Sequence, residues 1–186
     1  MPRPRHLDLQ MCPFTICVDT REQAPFHFQN LTTDSRHHYR PLIVPTTRAA
    51  LTTGDYSIVG YEDRVTVERK SLDDAFGTFG ADRDRWERCL DRMRQIECSN
   101  VVIEADWKAV LSSIRPTSAE GRNFTGKSFY RSVIAWQGRY RNVHWWFCPT
   151  RDFAEITTFR LLERWWLDEM QKTKEQVKAR GDAYEP

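Results

Sequence analysis

The sequence of 186 residues lacks features that define several common protein classes. It has no apolar run long enough to cross a membrane, and residues 1–6 (MPRPRH) contain no hydrophobic stretch of the kind found in secretory signals. Its five cysteines include no Cys-x-x-Cys pair, which argues against a structural zinc site and a disulfide framework. We therefore expect an intracellular, cytoplasmic protein with free thiols and no membrane partner.

The chain also lacks a large excess of charge of either sign, because 28 Lys and Arg against 26 Asp and Glu leave a formal net charge of +2. This balance excludes a polybasic tail protein and an acidic disordered chain. It does not exclude a local nucleic-acid site, because residues 107–151 contain eight basic residues and a single acid, Glu120, a net charge of +7. Basic residues on a loop and the following helix are typical of a surface that follows a phosphate backbone.

Hydrophobic residues make up 40% of the chain, enough for the core of one domain. Short β-branched segments alternate with helical patterns, which predicts an α/β fold with a central mixed β-sheet flanked by helices. We predict a domain of residues 14–170, an N-terminal extension at 1–13 and a charged tail at 171–186. The tail either extends the last helix or, as we expect, is frayed. The predicted strands are 14–19, 42–44, 56–59, 65–69, 100–104 and 143–148. The predicted helices are 71–79, 83–97, 107–114, 127–140 and 152–170.

The most informative pattern is a predicted β-hairpin closed by a turn at residues 60–63. A register in which paired positions sum to about 123 sets Tyr56 opposite Val67 and Asp55 opposite Glu68. One face of this hairpin is then apolar, and the other collects two carboxylates. A slip of one residue would lose both features, so the register is well specified.

Asp55 and Glu68 at a cross-strand distance repel each other unless a cation or a proton lies between them. Carboxylate oxygens suit Mg²⁺ or Mn²⁺, which can polarise a phosphoryl oxygen and lower the pKa of a bound water. Lys70 lies on the same face and could orient or deprotonate that water, or stabilise charge on phosphate. The alternative is a purely structural polar face on which Glu68 pairs with Lys70.

Three motifs follow one another along the chain: VDTRE at 18–22, TGDY at 53–56, and VERK at 67–70 with Asp74 four residues further on. In this order they resemble the nuclease domain of the XPF-type structure-specific endonucleases, in its compact stand-alone bacterial or viral form. The resemblance implies a restriction-endonuclease-like core. It also implies metal-dependent DNA hydrolysis at branched or flapped structures or single-strand/double-strand junctions.

The resemblance assigns the metal, Mg²⁺ or Mn²⁺, to Asp55 and Glu68, with Asp19 completing the acidic cluster. Lys70 would assist the attacking water. The predicted catalytic set comprises Asp19, Asp55, Glu68, Arg69, Lys70 and Asp74.

The remaining motif residues have alternative roles. Arg21 and Arg69 would contact phosphate or brace the site. Asp74 belongs either to catalysis or to a helix cap, because Ser71-x-x-Asp74 also has the spacing of a capping box. Arg83 is selected from an arginine-rich helix by family position alone, since its neighbours are expected to form a solvated network of ion pairs.

The predicted DNA-contacting segment is the loop at residues 115–127 with the start of the following helix. The residues predicted to bind DNA are Arg21, Arg83, Arg115, Arg122, Lys127 and Arg131. We also expect a homodimer formed through the nuclease domain, because aromatic residues lie on more than one side of the last predicted helix. Two other functions stay open: a catalytically silent DNA-binding scaffold or partner subunit, and a nicking endonuclease with the same core but a different DNA preference.

Overall fold

The computed structural model describes residues 9–33, 39–116 and 123–182. These residues form fifteen helices and strands. The strands are β1 (Gln10–Met11), β2 (Ile16–Asp19), β3 (Leu42–Ile43), β4 (Thr46–Ala49), β5 (Tyr56–Ile58), β6 (Val65–Ser71), β7 (Cys98–Glu104), β8 (Ile114–Pro116), β9 (Asn123–Thr125) and β10 (Val143–Phe147). The helices are α1 (Leu72–Gly80), α2 (Arg83–Met93), α3 (Trp107–Leu111), α4 (Gly126–Arg139) and α5 (Arg151–Asp182).

Six strands form the central sheet in the order β10-β7-β6-β5-β2-β4. Strand β6 pairs parallel with β7 and antiparallel with β5, so the sheet is mixed, as predicted. In the remaining pairs, β1 runs parallel to β3 and β8 runs antiparallel to β9. Because β6 is an inner strand with neighbours on both sides, its side chains are held in fixed positions on the two faces of the sheet.

The two faces of the sheet bury separate apolar clusters. Tyr56, Ile58, Val65 and Val67 lie in one cluster, which is covered by α5. Helices α1, α2 and α4 cover the other face. Tyr56 pairs with Val67, which confirms the register predicted for the hairpin and its apolar face.

Aromatic rings hold α2 and α4 against the second face. The ring of Phe79 lies 5.1 Å from Trp86, 4.8 Å from Phe129 and 5.0 Å from Trp136, measured between centroids. All four residues are buried, and each such side chain contributes about 1.5–3 kcal/mol. This packing fixes the rotation of α2 about its axis.

Helix α5 extends further than the sequence predicts. It reaches Asp182, so of the two alternatives for the charged tail the structure shows the helical one up to that residue. Arg64 anchors the helix through an ion pair of 2.5 Å to Glu169, and the same guanidinium lies 2.7 Å from Glu97, just before β7. Within the part of the chain that the structure describes, neither α5 nor any other helix has a stretch apolar enough to span a membrane.

Candidate active site

A cleft of about 300 Å³ opens between the loop before β5, the end of β6 and the helices α1 and α2. Its lining is mostly polar. The charged residues that line it are Asp19, Arg21, Asp55, Glu68, Lys70, Asp74, Asp82, Arg85 and Arg92. The structure therefore brings together Asp19, Arg21 and four of the residues predicted around β5 and β6.

A tight turn at Gly54 brings Asp55 to the cleft. Gly54 has φ +79°, which strains any other residue, and a Cβ at this position would lie 1.9 Å from Oγ1 of the Thr66 side chain. The backbone N–H of Asp55 donates to the carbonyl of Val67 at 2.8 Å. The Asp55 carboxylate Oδ2 accepts a 2.7 Å hydrogen bond from the backbone N–H of Arg69.

The electrostatics of Asp55 favour a bound cation. Burial raises the pKa of the Asp55 carboxyl well above its usual range, and the neighbouring Glu68 raises it further. Within residues 9–33, 39–116 and 123–182, no three His, Cys, Asp or Glu side chains form a cluster that could hold a metal ion. Two carboxylates beside an open cleft nevertheless fit Mg²⁺, which keeps several waters and is often held by one or two carboxylates together with substrate phosphate.

Lys70 lies beside both carboxylates of the β6–α1 junction. Its Nζ is 3.2 Å from Glu68 Oε1 and 3.0 Å from Asp74 Oδ2, and it lies 5.0 Å from the centre of the Trp86 ring. Burial lowers the pKa of Lys70, but the attraction of Glu68 and Asp74 outweighs it, so the net shift is upward. Lys70 is therefore held as an ammonium ion at the cleft.

Asp19 lines the same cleft but is tightly bound to protein groups. Its Oδ1 accepts from the backbone N–H and Nε of Arg21 at 2.7 and 2.8 Å, and Oδ2 accepts from Leu51 N–H at 2.7 Å. Its pKa falls to about 2, chiefly because of the Arg21 side chain. The guanidinium of Arg21 also bonds the Leu51 carbonyl at 2.6 Å, so this pair braces the loop behind Asp55.

Arg69 points to the opposite face of β6 from Lys70, and it does not line the cleft. Its Nε donates to Glu104 at 2.6 Å, its Nη1 lies 3.5 Å from Glu22, and its guanidinium lies 5.7 Å from the Phe26 ring. This is the bracing arrangement, one of the two roles predicted for Arg69. Its backbone N–H, rather than its side chain, touches the site.

Asp74 takes part in the predicted helix cap and also lines the cleft. Its backbone N–H donates to Ser71 Oγ at 3.2 Å, which caps α1. Its carboxylate faces the cleft, where Oδ2 accepts from Lys70 at 3.0 Å and Oδ1 accepts from Thr78 at 3.3 Å. The cap uses the backbone of Asp74, so capping and a role in the site are compatible.

Arg83 does not line the cleft. It lies 3.1 Å from Glu87, bonds Ser132 at 2.8 Å and stacks 4.6 Å above Trp136, so it joins α2 to α4. The arginines that α2 brings to the cleft are Arg85 and Arg92, which the sequence prediction missed. Their seven-residue spacing was visible, but the side of α2 that faces the cleft depends on tertiary packing.

Arg21 lines the cleft, whereas Arg115, Lys127 and Arg131, which are also predicted to bind DNA, do not. Arg115 pairs with Asp73 at 2.7 Å, whereas Lys127 and Arg131 are exposed on α4. Arg122 lies outside the described residues. The predicted loop at 115–127 includes parts of β8 and β9, which form a short antiparallel pair.

A mixed sheet whose inner hairpin presents Asp55, Glu68 and Lys70 to a cleft is the restriction-endonuclease-like fold of the XPF nuclease domains. The ERCC4 domain model matches residues 18–159. The chain therefore belongs to the ERCC4 domain family, a family of nucleases.

Solved structures agree with this assignment. XPF from Aeropyrum pernix is 18% identical with a TM-score of 0.55, over 87% of this chain and 69% of that one. The structure of XPF from Aeropyrum pernix in complex with DNA is 19% identical with a TM-score of 0.53, over 80% of this chain and 63% of that one. No curated protein matches the chain.

Proposed function

We propose that the chain is a Mg²⁺- or Mn²⁺-dependent DNA endonuclease that hydrolyses phosphodiesters at branched, flapped or junction DNA. The observation that carries this proposal is the convergence of Asp55, Glu68 and Lys70 on one cleft. Membership of a nuclease family supports the reaction class. The DNA bound to the related XPF structure supports the substrate class.

Asp55 and Glu68 would hold the ion, and its chemistry when bound would be to polarise the phosphoryl oxygen and to lower the pKa of water. Lys70 would stabilise the charge that develops on phosphate, because its neighbours hold it as an ammonium ion. Asp74 would keep the Lys70 ammonium in place at 3.0 Å. Asp19 would hold Arg21 and so brace the loop behind Asp55. Alternatively, if the Arg21 guanidinium binds a DNA phosphate instead, the Asp19 carboxylate would join the metal site.

A cleavage panel tests this function directly. Labelled 3′ flap, 5′ flap, fork, four-way junction, linear duplex and single-stranded DNA are incubated with Mg²⁺ or Mn²⁺. The wild type, Glu68→Ala and Lys70→Ala are compared, with Arg94→Ala as an exposed control away from the cleft lining. We expect metal-dependent cutting of branched DNA, with at least a hundredfold loss in the two site variants and none in the control.

The two rival functions give different results in the same panel. Binding of DNA by the wild type without cutting in either metal would favour a scaffold or partner subunit. Cutting of one strand of linear duplex in preference to forks or flaps would favour a nicking endonuclease. Equal activity of wild type and Glu68→Ala would contradict the site assignment itself.

We also propose a homodimer, although the aromatic residues that first suggested it have other partners. Phe159 and Leu162 are fully buried within the chain, and Trp165 is 9% exposed. The exposed apolar residues on α5 include Phe153 and Ile156. Light scattering at several concentrations tests the dimer: a mass that stays at 22.0 kDa would exclude it.

A further inference from the structure

Helix α2 carries interspersed acidic and basic residues, and the structure sorts them onto different sides. Two acids within the helix, Glu87 and Asp91, are engaged away from the cleft lining, whereas the N-cap residue Asp82 lines the cleft. Glu87 accepts hydrogen bonds from Trp136 Nε1 and Arg139, both at 3.1 Å, and Asp91 lies 3.5 Å from the Tyr140 hydroxyl. The sequence predicted a network of ion pairs on the exposed side of this helix. Among the described residues, that network does not include Arg85, Arg88 or Arg92.

Three arginines on α2 stay exposed: Arg85, Arg88 and Arg92. None of the three has a carboxylate within ion-pair distance among residues 9–33, 39–116 and 123–182, and Arg92 bonds only the backbone carbonyl of Arg88 at 3.2 Å. Arg85 and Arg92 line the cleft that contains Glu68 and Lys70, whereas Arg88 does not.

The spacing of the two cleft arginines is regular. Arg85 and Arg92 are seven residues apart, close to two turns, so they share one face of α2 with their Cα atoms about 10 Å apart. Successive phosphates of one strand of duplex DNA are about 3.4 Å apart along the axis. The two guanidinium groups are therefore presented side by side along the cleft, where each can reach a different phosphate of one strand.

We propose that Arg85 and Arg92 form a clamp that binds backbone phosphates on either side of the phosphate to be cut. This inference rests on the proposed nuclease function. The carboxylates of Asp55 and Glu68 repel a phosphate backbone, and the positive charges of Arg85 and Arg92 in the same cleft offset that repulsion. Arginine suits this role because its planar guanidinium binds phosphate oxygens in pairs.

The test measures binding without cleavage. A fluorescent forked duplex is titrated in EDTA at several salt concentrations with wild type, Arg85→Gln, Arg92→Gln and the double variant. We expect each single variant to bind about three- to tenfold more weakly, and the slope of log affinity against log salt to shrink by about 0.9 per residue. The matched control is Arg88→Gln, on the same exposed helix but outside the cleft, which should bind within twofold of wild type.

Failure of this clamp is distinguishable from failure of the proposed function. A wild type that neither binds nor cuts DNA would overturn both. A wild type that binds and cuts, with Arg85→Gln and Arg92→Gln unchanged in affinity and salt slope, would overturn only the clamp. So would an equal loss in Arg88→Gln, because it would show a diffuse effect of charge. Arg85→Lys should retain the salt slope, and thermal melting of each variant checks that it is folded.

Discussion

At the scale of single residues, Asp55 illustrates a conflict between stability and function. The pKa of its carboxyl is raised by burial and by Glu68, so ionising it in the folded chain costs free energy that the unfolded chain does not bear. Above the unfolded pKa of about 4, this cost lowers the stability of the protein. A cation bound between the two carboxylates would remove the repulsion.

We therefore expect Asp55→Asn to stabilise the metal-free protein by about 1 kcal/mol or more at pH 7, while abolishing cleavage. Mg²⁺ should raise the melting temperature of wild type but not of this variant. Thermal melting in EDTA and in Mg²⁺ measures both effects. Asp82→Asn, an exposed carboxylate on the same cleft, is the control and should change stability by less than about 0.5 kcal/mol. A variant less stable than wild type in EDTA would contradict the account.

Asp19 makes the opposite prediction about pH. Its pKa is about 2 in the folded protein because the Arg21 side chain, opposed by burial and helped by backbone N–H groups, favours the carboxylate. A lowered pKa contributes stability that is complete above the unfolded value of about 4 and is lost as the pH falls towards 2. The ion pair is worth about 1–2 kcal/mol, since Arg21 itself is largely exposed.

Urea unfolding of wild type and Asp19→Asn at pH 5, 4, 3 and 2.5 tests this. The difference in the free energy of unfolding between the two proteins should shrink across that range, because other carboxylates titrate equally in both. A difference that stays constant from pH 5 to pH 2.5 would show that Arg21 does not stabilise the Asp19 carboxylate.

At the scale of helices and strands, the joint between α3 and α4 depends on a glycine. A Cβ on Gly126 would lie 2.2 Å from the carbonyl oxygen of Val110 and 2.5 Å from Cα of Leu111. Helix propensity favours alanine over glycine by about 1 kcal/mol, but here the backbone of α3 occupies the space. The clash of the added Cβ with this backbone therefore outweighs the gain in helix propensity, and the change in stability is unfavourable.

We expect Gly126→Ala to destabilise the protein by about 1–3 kcal/mol. Gly138→Ala in the same helix is the matched control, because nothing lies within 4 Å of its added Cβ. This second variant should be more stable than wild type by about 0.5–1 kcal/mol. Denaturant unfolding of the pair measures both values, and stabilisation by Gly126→Ala would show that α3 moves away at little cost.

Helices and strands were predictable from the sequence where the pattern of apolar and polar residues was clear within the segment itself. The register of β5 and β6 followed from the alternation of Tyr56, Val67 and their neighbours, because one buried face tolerates no slip. Strand β4 is exposed at all four positions and polar at three, so it has no alternation to detect. The end of α5 carries charges without an apolar stripe, so the sequence left open whether this segment is helical or frayed.

Part of the site was predictable on the same terms. Asp55, Glu68 and Lys70 were found because strand geometry fixes their common face before any tertiary contact is known. Arg83, the residue selected from the sequence, does not line the cleft, whereas Arg85 and Arg92 do. The side of α2 that reaches the cleft depends on the packing of Trp86 against Phe79 and Trp136, which are tertiary contacts.

At the scale of the whole molecule, the charge of residues 107–151 is partly used inside the fold. Arg115 pairs with Asp73, Arg139 with Glu87, and Arg151 with Glu104. These arginines face carboxylates from other parts of the chain, so the field that reaches DNA is weaker than the sequence count of +7 suggests.

The exposed residues Lys127 and Arg131 remain the best candidates on α4 for DNA contact, because no ion pair occupies them among the described residues. We expect Lys127→Glu with Arg131→Glu to weaken DNA binding and to lower the salt slope by more than one unit. Arg141→Glu, an exposed residue beyond the end of α4, is the control for net charge. Unchanged affinity in the double variant would exclude this face from the DNA path.

The last turns of α5 provide a test of how far the domain extends. Contacts with the rest of the fold continue to Lys172, whose Nζ lies 3.6 Å from Glu97, whereas residues 173–179 are exposed throughout. A chain ending at Lys172 should therefore lose less than about 1 kcal/mol of unfolding free energy, because no buried surface is removed. A chain ending at Arg160 removes the fully buried Leu162 and the largely buried Trp165, and it should lose at least about 3–5 kcal/mol. Urea midpoints of the two truncations and the full chain measure the difference, and equal midpoints for both truncations would show that α5 does not hold the sheet in place.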